Sequence, residues 1–357
     1  MSEQPTTFAM TVSPGRPGSA DVTGLERPPG SGTILVQGLM AGVCGTDREI
    51  VEHGMGYPPH GSDRIVLGHE SVGRVRQAPA DSRFAPGDLV AGIVRRPEPD
   101  PCEACRAGEV DACLDGRYRS RGISGLDGYG ATGWFLEPEF AVRLDPGLGE
   151  RGVLIEPASV LAKAWEQIDR IAARSPRGEE RILVLGAGPI GLLATLLSTR
   201  RGHETHVYDR AAAGIKPELV RTLGATYHQA GVSGLEAVKA KPSIVIDCTG
   251  VPALALGAIE QAAPHMIVCL IGLPEAADAR DAVDPSALVR TLVRRNGVLF
   301  GTVNAGRRHF EAASAALAET DRTWLDALIT RRVPLSSWTD ALRSHPDDVK
   351  VAVDLQR

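Results

Sequence analysis

A glycine-rich turn, placed between an apolar run and an apolar helical stretch, restricts the fold of this chain more than any other feature. The turn is Gly186-Ala-Gly-Pro-Ile-Gly191. In such a turn Gly186 permits the tight reversal, Gly188 lets the backbone approach a pyrophosphate, and Gly191 lets helix and strand pack closely. Pro189 and Ile190 open the helix, whose unpaired N–H groups face the anion. The pattern predicts a dinucleotide site, and a glycine turn of an unrelated α/β fold is the alternative.

An acidic residue ends the next apolar run, where a dinucleotide-binding unit contacts the adenosine ribose. Asp209 would accept hydrogen bonds from the ribose and repel a 2′-phosphate, which favours NAD over NADP. Arg210 follows directly and leaves NADP open. Thr249 and Gly272 follow later strand-like runs, at the sheet edge where ligands bind. For these two, cofactor contact and an ordinary strand-to-helix turn are equally good interpretations.

The two halves of the chain differ in their apolar patterning. Between residues 32 and 145, short β segments are separated by Gly, Pro and Asp turns, and the last of these segments is Glu139-Phe-Ala-Val-Arg143. This pattern indicates a barrel-like domain. After Arg181, strand-like runs that are apolar on both faces alternate with helical stretches, which indicates a parallel sheet covered on both sides. Residues 161–173 have helical spacing, and a strand-like segment at 349–355 is expected to rejoin the first domain.

The length of 357 residues also exceeds what one hydrophobic core usually serves. We therefore predict an α/β protein with a doubly wound parallel sheet and a separate β-barrel domain. The expected boundaries are residues 1–160 with 304–357 for the barrel domain and residues 161–303 for the dinucleotide-binding domain.

Three residues of the β-rich half have the side chains that a catalytic zinc uses. Cys44, His69 and Glu70 offer a thiolate, an imidazole and a carboxylate, and Glu156 is a candidate fourth ligand. Each alone has an ordinary alternative: a small buried cysteine, a packed histidine, or a solvated turn glutamate.

Charge and hydropathy exclude several other classes of protein. A net charge of −5 with pI near 6.0 offers no basic surface for nucleic acid. The N-terminal stretch lacks the pattern of a secretory signal, and the most apolar segment is too short and glycine-rich for a membrane span. These features predict a cytoplasmic protein that acts on a small molecule.

Several motifs together resemble one known enzyme family. Ala41-Gly-Val-Cys-Gly-Thr-Asp47, Gly68-His-Glu70 and the glycine turn are similar to those of the zinc-dependent medium-chain dehydrogenases, the alcohol dehydrogenase superfamily. Additional segments resemble the glucose 1-dehydrogenase family within it; they are Cys44-Gly-Thr-Asp-Arg-Glu-Ile50, Val66-Leu-Gly-His-Glu70, Val94-Arg-Arg-Pro97, Tyr129-Gly130, Val303-Asn304 and Arg308-His-Phe310.

The resemblance implies a Rossmann domain joined to a GroES-like β-barrel catalytic domain. It implies a catalytic zinc at Cys44, His69 and Glu70, with Glu156 nearby. It also implies that Thr46 heads a proton relay, although a local turn cap is its alternative role. Zinc, NAD or NADP, and a homodimer or homotetramer belong to the same expectation.

A cysteine cluster resembles the structural zinc lobe of the superfamily, but with one ligand missing. Cys102, Cys105 and Cys113 are present, whereas the usual position of the first cysteine holds a proline. Glu98 or Asp100 would have to supply an oxygen ligand if zinc is bound. An empty lobe with free thiols is the alternative.

The resemblance also points to a sugar substrate without fixing which one. Asn304 resembles an asparagine that contacts the cofactor and sugar hydroxyls. Ser120 stands where a glucose-binding glutamate is common, and Val94 stands where some members have asparagine. Fewer polar partners reduce discrimination for glucose, so another sugar, a polyol or an amino alcohol is equally compatible. Two further hypotheses are a zinc dehydrogenase of a non-sugar secondary alcohol and a non-catalytic dinucleotide-sensing protein.

Overall fold

The computed structural model describes residues 7–26, 32–176, 178–232, 234–238, 241–274 and 284–357. The chain divides into two compact units, Met1–Ser159 with Asn304–Arg357, and Val160–Val303. The division falls within one helix, α3 (Ile155–Ala172). None of the helices in the described ranges combines the length and apolarity that a bilayer crossing requires.

The first unit is built on antiparallel strands around β3, the longest of them. Its strands are β1 (Thr7–Val12), β2 (Asp21–Leu25), β3 (Ile34–Val43), β4 (Ile65–Val66), β5 (Glu70–Gln77), β6 (Leu89–Gly92), β7 (Arg95–Pro97), β8 (Tyr118–Arg121), β9 (Gly125–Leu126), β10 (Gly133–Leu136), β11 (Ala141–Arg143), β18 (Arg331–Pro334) and β19 (Val351–Asp354). The main sheet has the order β11-β6-β5-β3-β19-β18, and β10 also pairs with β3. The strand-like tail therefore pairs with the centre of this unit, since β19 runs antiparallel to β3.

This unit also contains helices. They are α1 (Gly45–His53), α2 (Glu103–Arg106), α8 (Arg307–Ala318) and α9 (Arg322–Leu328), with 3-10 segments at Val110–Ala112, Pro138–Phe140, Pro146–Leu154 and Leu335–Leu342. One core cluster packs Ile50 of α1 against Leu67 and Trp338, all almost fully buried. Burial of these side chains fixes α1 against the strand ends, because each removes a large apolar surface from water.

The second unit is a doubly wound parallel sheet. Its strands are β12 (Arg181–Leu185), β13 (Glu204–Asp209), β14 (Thr226–Gln229), β15 (Ile244–Asp247), β16 (Ile267–Leu270) and β17 (Val298–Gly301), in the order β14-β13-β12-β15-β16-β17. Its helices are α4 (Pro189–Arg200), α5 (Ile215–Thr222), α6 (Pro252–Gln261) and α7 (Pro285–Arg295). The strand order reverses beside β12, which is the arrangement of a Rossmann fold. The predicted α/β fold class is confirmed.

Two local predictions differ from the structure, both at prolines. The helix predicted over residues 161–173 begins at Ile155, because Pro157 is tolerated in a first helical turn. The segment predicted as a strand from Glu139 starts as a 3-10 turn at Pro138, and only Ala141–Arg143 forms a strand.

Candidate functional site

Cys44, His69 and Glu70 converge in the first unit. One possible ligand atom from each lies within 4.8 Å of the others. The Cys44 Sγ is 3.2 Å from the His69 Nε2. Strand pairing explains the convergence, since Cys44 follows β3 and Glu70 begins β5, its antiparallel neighbour. His69 and Glu70 are buried at 5% and 3% exposure, so the group is shielded from bulk water.

Cys44 is also the N-cap of α1, which gives its sulfur a polar environment. The Thr46 main-chain N–H donates to the Cys44 Sγ at 3.3 Å, and the Asp47 Oδ2 accepts from the Cys44 N–H at 2.9 Å. This reciprocal pair is a capping box. The sulfur therefore lies at the N-terminus of α1, fixed by the first turn of the helix. The structure places Thr46 half-buried in the first turn of α1, beside the thiol.

Asp47 lies beside the histidine ring, a position that sequence analysis missed. Its Oδ1 faces the His69 Nδ1 at 3.6 Å, and both atoms are buried without a hydrogen bond among the described residues. A carboxylate on the distal ring nitrogen is the usual support for a metal-binding histidine, because it fixes the ring and the tautomer. The His69 Nε2 is thereby left facing the Cys44 sulfur.

Lys350 is a second residue that sequence analysis missed. This lysine of the C-terminal tail is 1% exposed, forms an ion pair with the Glu70 Oε2 and donates to the Val43 carbonyl at 3.1 Å. Burial opposes its charge, but Glu70 and Cys44 outweigh that effect and raise the pKa of Lys350. A side chain on Gly42 would collide with both Glu70 and Lys350, which explains the glycine between their strands.

Glu156 lies close enough to this group for its charge to interact with it. Burial raises the pKa of Glu156 to about 7; His69 opposes that shift, and Glu70 and Asp47 add to it. Glu156 is nevertheless outside the set whose ligand atoms lie within 4.8 Å of one another. As a fourth ligand it would have to move inward.

The chemistry of this donor set fits a zinc ion. Sulfur, imidazole nitrogen and carboxylate oxygen are zinc ligands, and three protein ligands leave a position open. Burial lowers the pKa of His69, but the charges of Cys44 and Asp47 outweigh that effect and hold it well above its usual value. A buried site with this excess of acidic groups is suited to a divalent cation.

The cysteine cluster is a second group of possible metal ligands. Cys102, Cys105 and Cys113 offer sulfurs that lie within 4.8 Å of one another. The structure does not bring the predicted fourth ligands to these sulfurs: Glu98 pairs with Arg119 at 3.5 Å, and Asp100 pairs with Arg106 at 3.6 Å.

The glycine turn of the second unit has the geometry that its sequence predicts. Gly186 has φ +92, and a Cβ on Gly191 would lie 1.9 Å from the Gly186 carbonyl oxygen. Gly188 caps α4, and Pro189 and Ile190 form its first turn. A Cβ on Gly188 would meet nothing within 4 Å, so this face is open to a ligand. The turn thus fits a dinucleotide pyrophosphate.

Asp209 supports this turn through the main chain. Its Oδ2 accepts from the Ala187 N–H at 2.8 Å and its Oδ1 accepts from the Ala211 N–H at 2.9 Å. The carboxylate thus ties the end of β13 to the glycine turn, while the neighbouring Arg210 is exposed.

Thr249 and Gly272 lie beside one another at the same edge. The Thr249 Cγ2 would be 3.0 Å from a Cβ on Gly186, and a Cβ on Gly272 would be 2.1 Å from the Gly250 nitrogen. The structure therefore brings both residues next to the glycine turn, where strands β12, β15 and β16 end.

Asn304 and Ser120, which were also predicted to contact the substrate, lie in the first unit. Asn304 has φ +61, a left-handed conformation that asparagine tolerates, and its Oδ1 accepts from the Ala305 N–H at 2.5 Å. Ser120 is buried on β8, opposite Arg95 of β7.

The first unit is a barrel that carries a cysteine sulfur, an imidazole and a carboxylate, and the second is a Rossmann unit with an open glycine turn. Together these two units define the class of the medium-chain dehydrogenases. Comparisons with known proteins agree with this class. The family described as "Alcohol dehydrogenase GroES-like domain" matches residues 30–144, and the family described as "Glucose dehydrogenase C-terminus" matches residues 149–355.

Relatives named glucose 1-dehydrogenase match the chain over nearly its full length. Glucose 1-dehydrogenase of Methanocella arvoryzae is 36% identical, with 97% of this chain and 99% of the relative covered. Glucose 1-dehydrogenase of Thermoproteus tenax is also 36% identical, with 98% and 99% covered. The solved structure of Haloferax mediterranei glucose dehydrogenase in complex with NADP, Zn and gluconolactone is 31% identical, covers 97% of this chain and 99% of its own, and has a TM-score of 0.87.

This chain belongs to the glucose dehydrogenase family of the zinc-dependent medium-chain dehydrogenases. The predicted family and the predicted class of enzyme, an oxidoreductase, are confirmed.

Proposed function

We propose that the chain oxidises a hydroxyl group of a sugar and transfers the hydride to NAD or NADP. The observation that carries this proposal is the buried convergence of Cys44, His69 and Glu70 in the first unit. Relatives named glucose 1-dehydrogenase support the substrate class. A solved relative that holds NADP, Zn and gluconolactone supports zinc and NADP.

The protein's own residues prepare the site for this reaction. When bound, zinc supplies a Lewis acid that lowers the pKa of a substrate hydroxyl, and the dinucleotide supplies the hydride acceptor. The Asp47 carboxylate faces the distal nitrogen of the His69 ring, and Lys350 pairs with one oxygen of Glu70. These contacts keep the donor atoms converged in a site that excludes bulk water.

Two residues can move the proton that the reaction releases. The Thr46 hydroxyl can accept a proton from the substrate and donate its own, since a hydroxyl does both. Glu156 is a buried carboxylate whose charge interacts with His69, so it can accept a proton in the same relay. Glu156 also remains our candidate for an exchangeable fourth ligand.

The cofactor contacts are assigned to the edge of the second unit where β12, β15 and β16 end. Gly188 and the first turn of α4 would receive the pyrophosphate. Asp209 discourages a 2′-phosphate by its charge, whereas exposed Arg210 can pair with one. We infer that both cofactors are accepted, and steady-state kinetics with NAD and NADP measure the preference directly.

The substrate contacts are assigned to Asn304, Ser120, Thr46 and Glu156. Each offers a hydroxyl, amide or carboxylate to sugar hydroxyls. Ser120 is short and Val94 is apolar, so these two positions offer a sugar fewer polar partners than glutamate and asparagine would. This feature keeps a non-sugar secondary alcohol as the second candidate substrate.

A panel of aldoses, polyols, amino alcohols and secondary alcohols tests the substrate class. Each is supplied with NAD or NADP, and the absorbance of the reduced nicotinamide is followed. We expect turnover with one or more aldoses. Turnover of secondary alcohols but of no sugar would show that the substrate is a non-sugar secondary alcohol. Cofactor binding without any turnover would support a dinucleotide sensor.

We also infer that the protein forms a homo-oligomer through the second unit. Strand β17 is one of the two outer strands of its sheet, so one row of its main-chain groups has no strand partner among the described residues. Nearby apolar side chains are exposed: Leu273, Val289, Val293 and Val303. Analytical ultracentrifugation of the wild type and of Val293→Glu tests this interface, since a charge there should favour dissociation. None of the described cysteines forms a disulfide bond, which suits a reducing compartment such as the cytoplasm.

A further inference from the structure

The three-cysteine lobe of the first unit already has the spacing of a metal site. Cys102 caps α2, Cys105 lies within α2, and Cys113 follows the 3-10 turn after it. The Cys102 and Cys113 sulfurs are 3.9 Å apart. A tetrahedral zinc with Zn–S bonds of about 2.3 Å separates two thiolate sulfurs by about 3.8 Å. The lobe therefore needs little rearrangement to hold the ion.

One carboxylate approaches these sulfurs from the loop that follows them. The Asp115 Oδ1 lies 3.5 Å from the Cys113 Sγ. A tetrahedral zinc with a Zn–O bond of about 2.1 Å separates sulfur and carboxylate oxygen by about 3.6 Å.

The other oxygen of Asp115 is held by an arginine. The Arg117 Nη2 donates to the Asp115 Oδ2 at 2.8 Å, which leaves the Oδ1 directed toward the sulfurs. Outer contacts of this kind orient ligating carboxylates. The Leu114 N–H, next to Asp115, donates to the Cys102 Sγ at 3.4 Å, so the same loop also supports a thiolate.

The two acidic residues on the other side of the cluster are engaged elsewhere. Asp100 is largely exposed and pairs with Arg106, and Glu98 pairs with Arg119. Their ion pairs draw both carboxylates toward arginines and not toward the cysteines.

We propose that the lobe binds Zn²⁺ through Cys102, Cys105, Cys113 and Asp115, with Arg117 as the positioning residue for the carboxylate. Asp115, which follows Cys113 in the sequence, thus takes the place of the cysteine that is missing before Cys102. The site is structural, because four protein ligands leave no open position for a substrate. It is independent of the proposed catalytic metal.

Zinc content of the full-length enzyme tests the fourth ligand. Wild type, Asp115→Asn and the matched control Asp100→Asn are equilibrated with graded concentrations of a zinc chelator, and bound zinc per chain is measured by mass spectrometry. We expect two zinc ions per chain in the wild type and in Asp100→Asn. Asp115→Asn should lose one of them at a chelator concentration at least about tenfold lower. Asp115 is not buried, and a circular dichroism spectrum checks that the variant is folded.

Cobalt substitution gives a second readout that does not depend on turnover. Asp115→Cys would add a fourth thiolate, so the sulfur-to-cobalt charge-transfer absorption should increase relative to the wild type. Asp115→Asn should lower the affinity of the lobe for cobalt without removing the thiolate absorption at saturation.

Several results would overturn the proposal. They are equal zinc retention in Asp115→Asn and the wild type, loss of the second zinc in Asp100→Asn instead, an unchanged cobalt spectrum in Asp115→Cys, or a single zinc per chain in the wild type. Each leaves the proposed function standing if sugar turnover still requires the remaining zinc, so the two proposals fail separately.

Discussion

Replacement of Lys350 by methionine tests how the carboxylate of the proposed catalytic site is held. Methionine keeps most of the side-chain length but removes the charge that faces Glu70 and the donor to the Val43 carbonyl. The Lys350 and Glu70 side chains are only 2% and 4% exposed, so water cannot replace the missing partner. Removal of one partner of a buried ion pair typically costs about 3–5 kcal/mol.

We expect that loss in the free energy of unfolding of the zinc-free protein and a smaller loss in the zinc-loaded protein. The loaded site should lose less because a bound cation compensates the charge of Glu70. Urea titration followed by tryptophan fluorescence measures both states, since Trp134 and Trp338 are buried in the same unit.

The double variant Lys350→Met with Glu70→Gln is the control. It removes the unpaired charge, so it should recover most of the stability that the single variant loses. A loss below about 1 kcal/mol in the zinc-free single variant, or a double variant whose losses simply add, would contradict a buried charge pair.

Three further predictions concern the cofactor edge and the stability of the barrel unit. Gly191→Ala should lower the free energy of unfolding by about 1–3 kcal/mol in a urea titration, because its Cβ would collide with the backbone. Gly188→Ala should leave the stability unchanged and weaken dinucleotide binding. Equal losses of stability in the two variants would refute this contrast. Asp209→Asn should raise the kcat/KM ratio of NADP to NAD, and an unchanged ratio would show that the charge does not act on the ribose. Arg331 holds the pKa of Asp348 below its usual value, so this ion pair stabilises the fold above the usual carboxyl pKa of about 3.9 and loses its effect as the pH falls. The free energies of unfolding of wild type and Asp348→Asn should therefore converge in acid. A difference that stays constant with pH would refute the assignment.

The dinucleotide turn could be predicted because its residues act through local geometry. Gly186, Gly188 and Gly191 are spaced for one turn between a strand and a helix, and a local pattern suffices to recognise it. The convergence of Cys44 with His69 could be predicted only through the family resemblance, since spacing alone does not show which strands pair.

The supporting residues were not found for different physical reasons. Asp47 left a usable signal, because its spacing from Cys44 is that of a capping box. Lys350 left none: it meets Glu70 only because β19 and β5 pair with opposite edges of β3. Asp115 left no signal either, because the missing cysteine belongs before Cys102 in the sequence, whereas the loop after Cys113 brings a carboxylate to the sulfurs.

The most direct test of the central claim is bound zinc and hydride transfer in Cys44→Ser, compared with the wild type on the same sugar. Cofactor binding, followed by the fluorescence of bound reduced nicotinamide, shows that the second unit is intact. If Cys44, His69 and Glu70 hold the catalytic ion, Cys44→Ser should lose one zinc per chain and its turnover while it still binds cofactor. Undiminished turnover in Cys44→Ser would contradict the account.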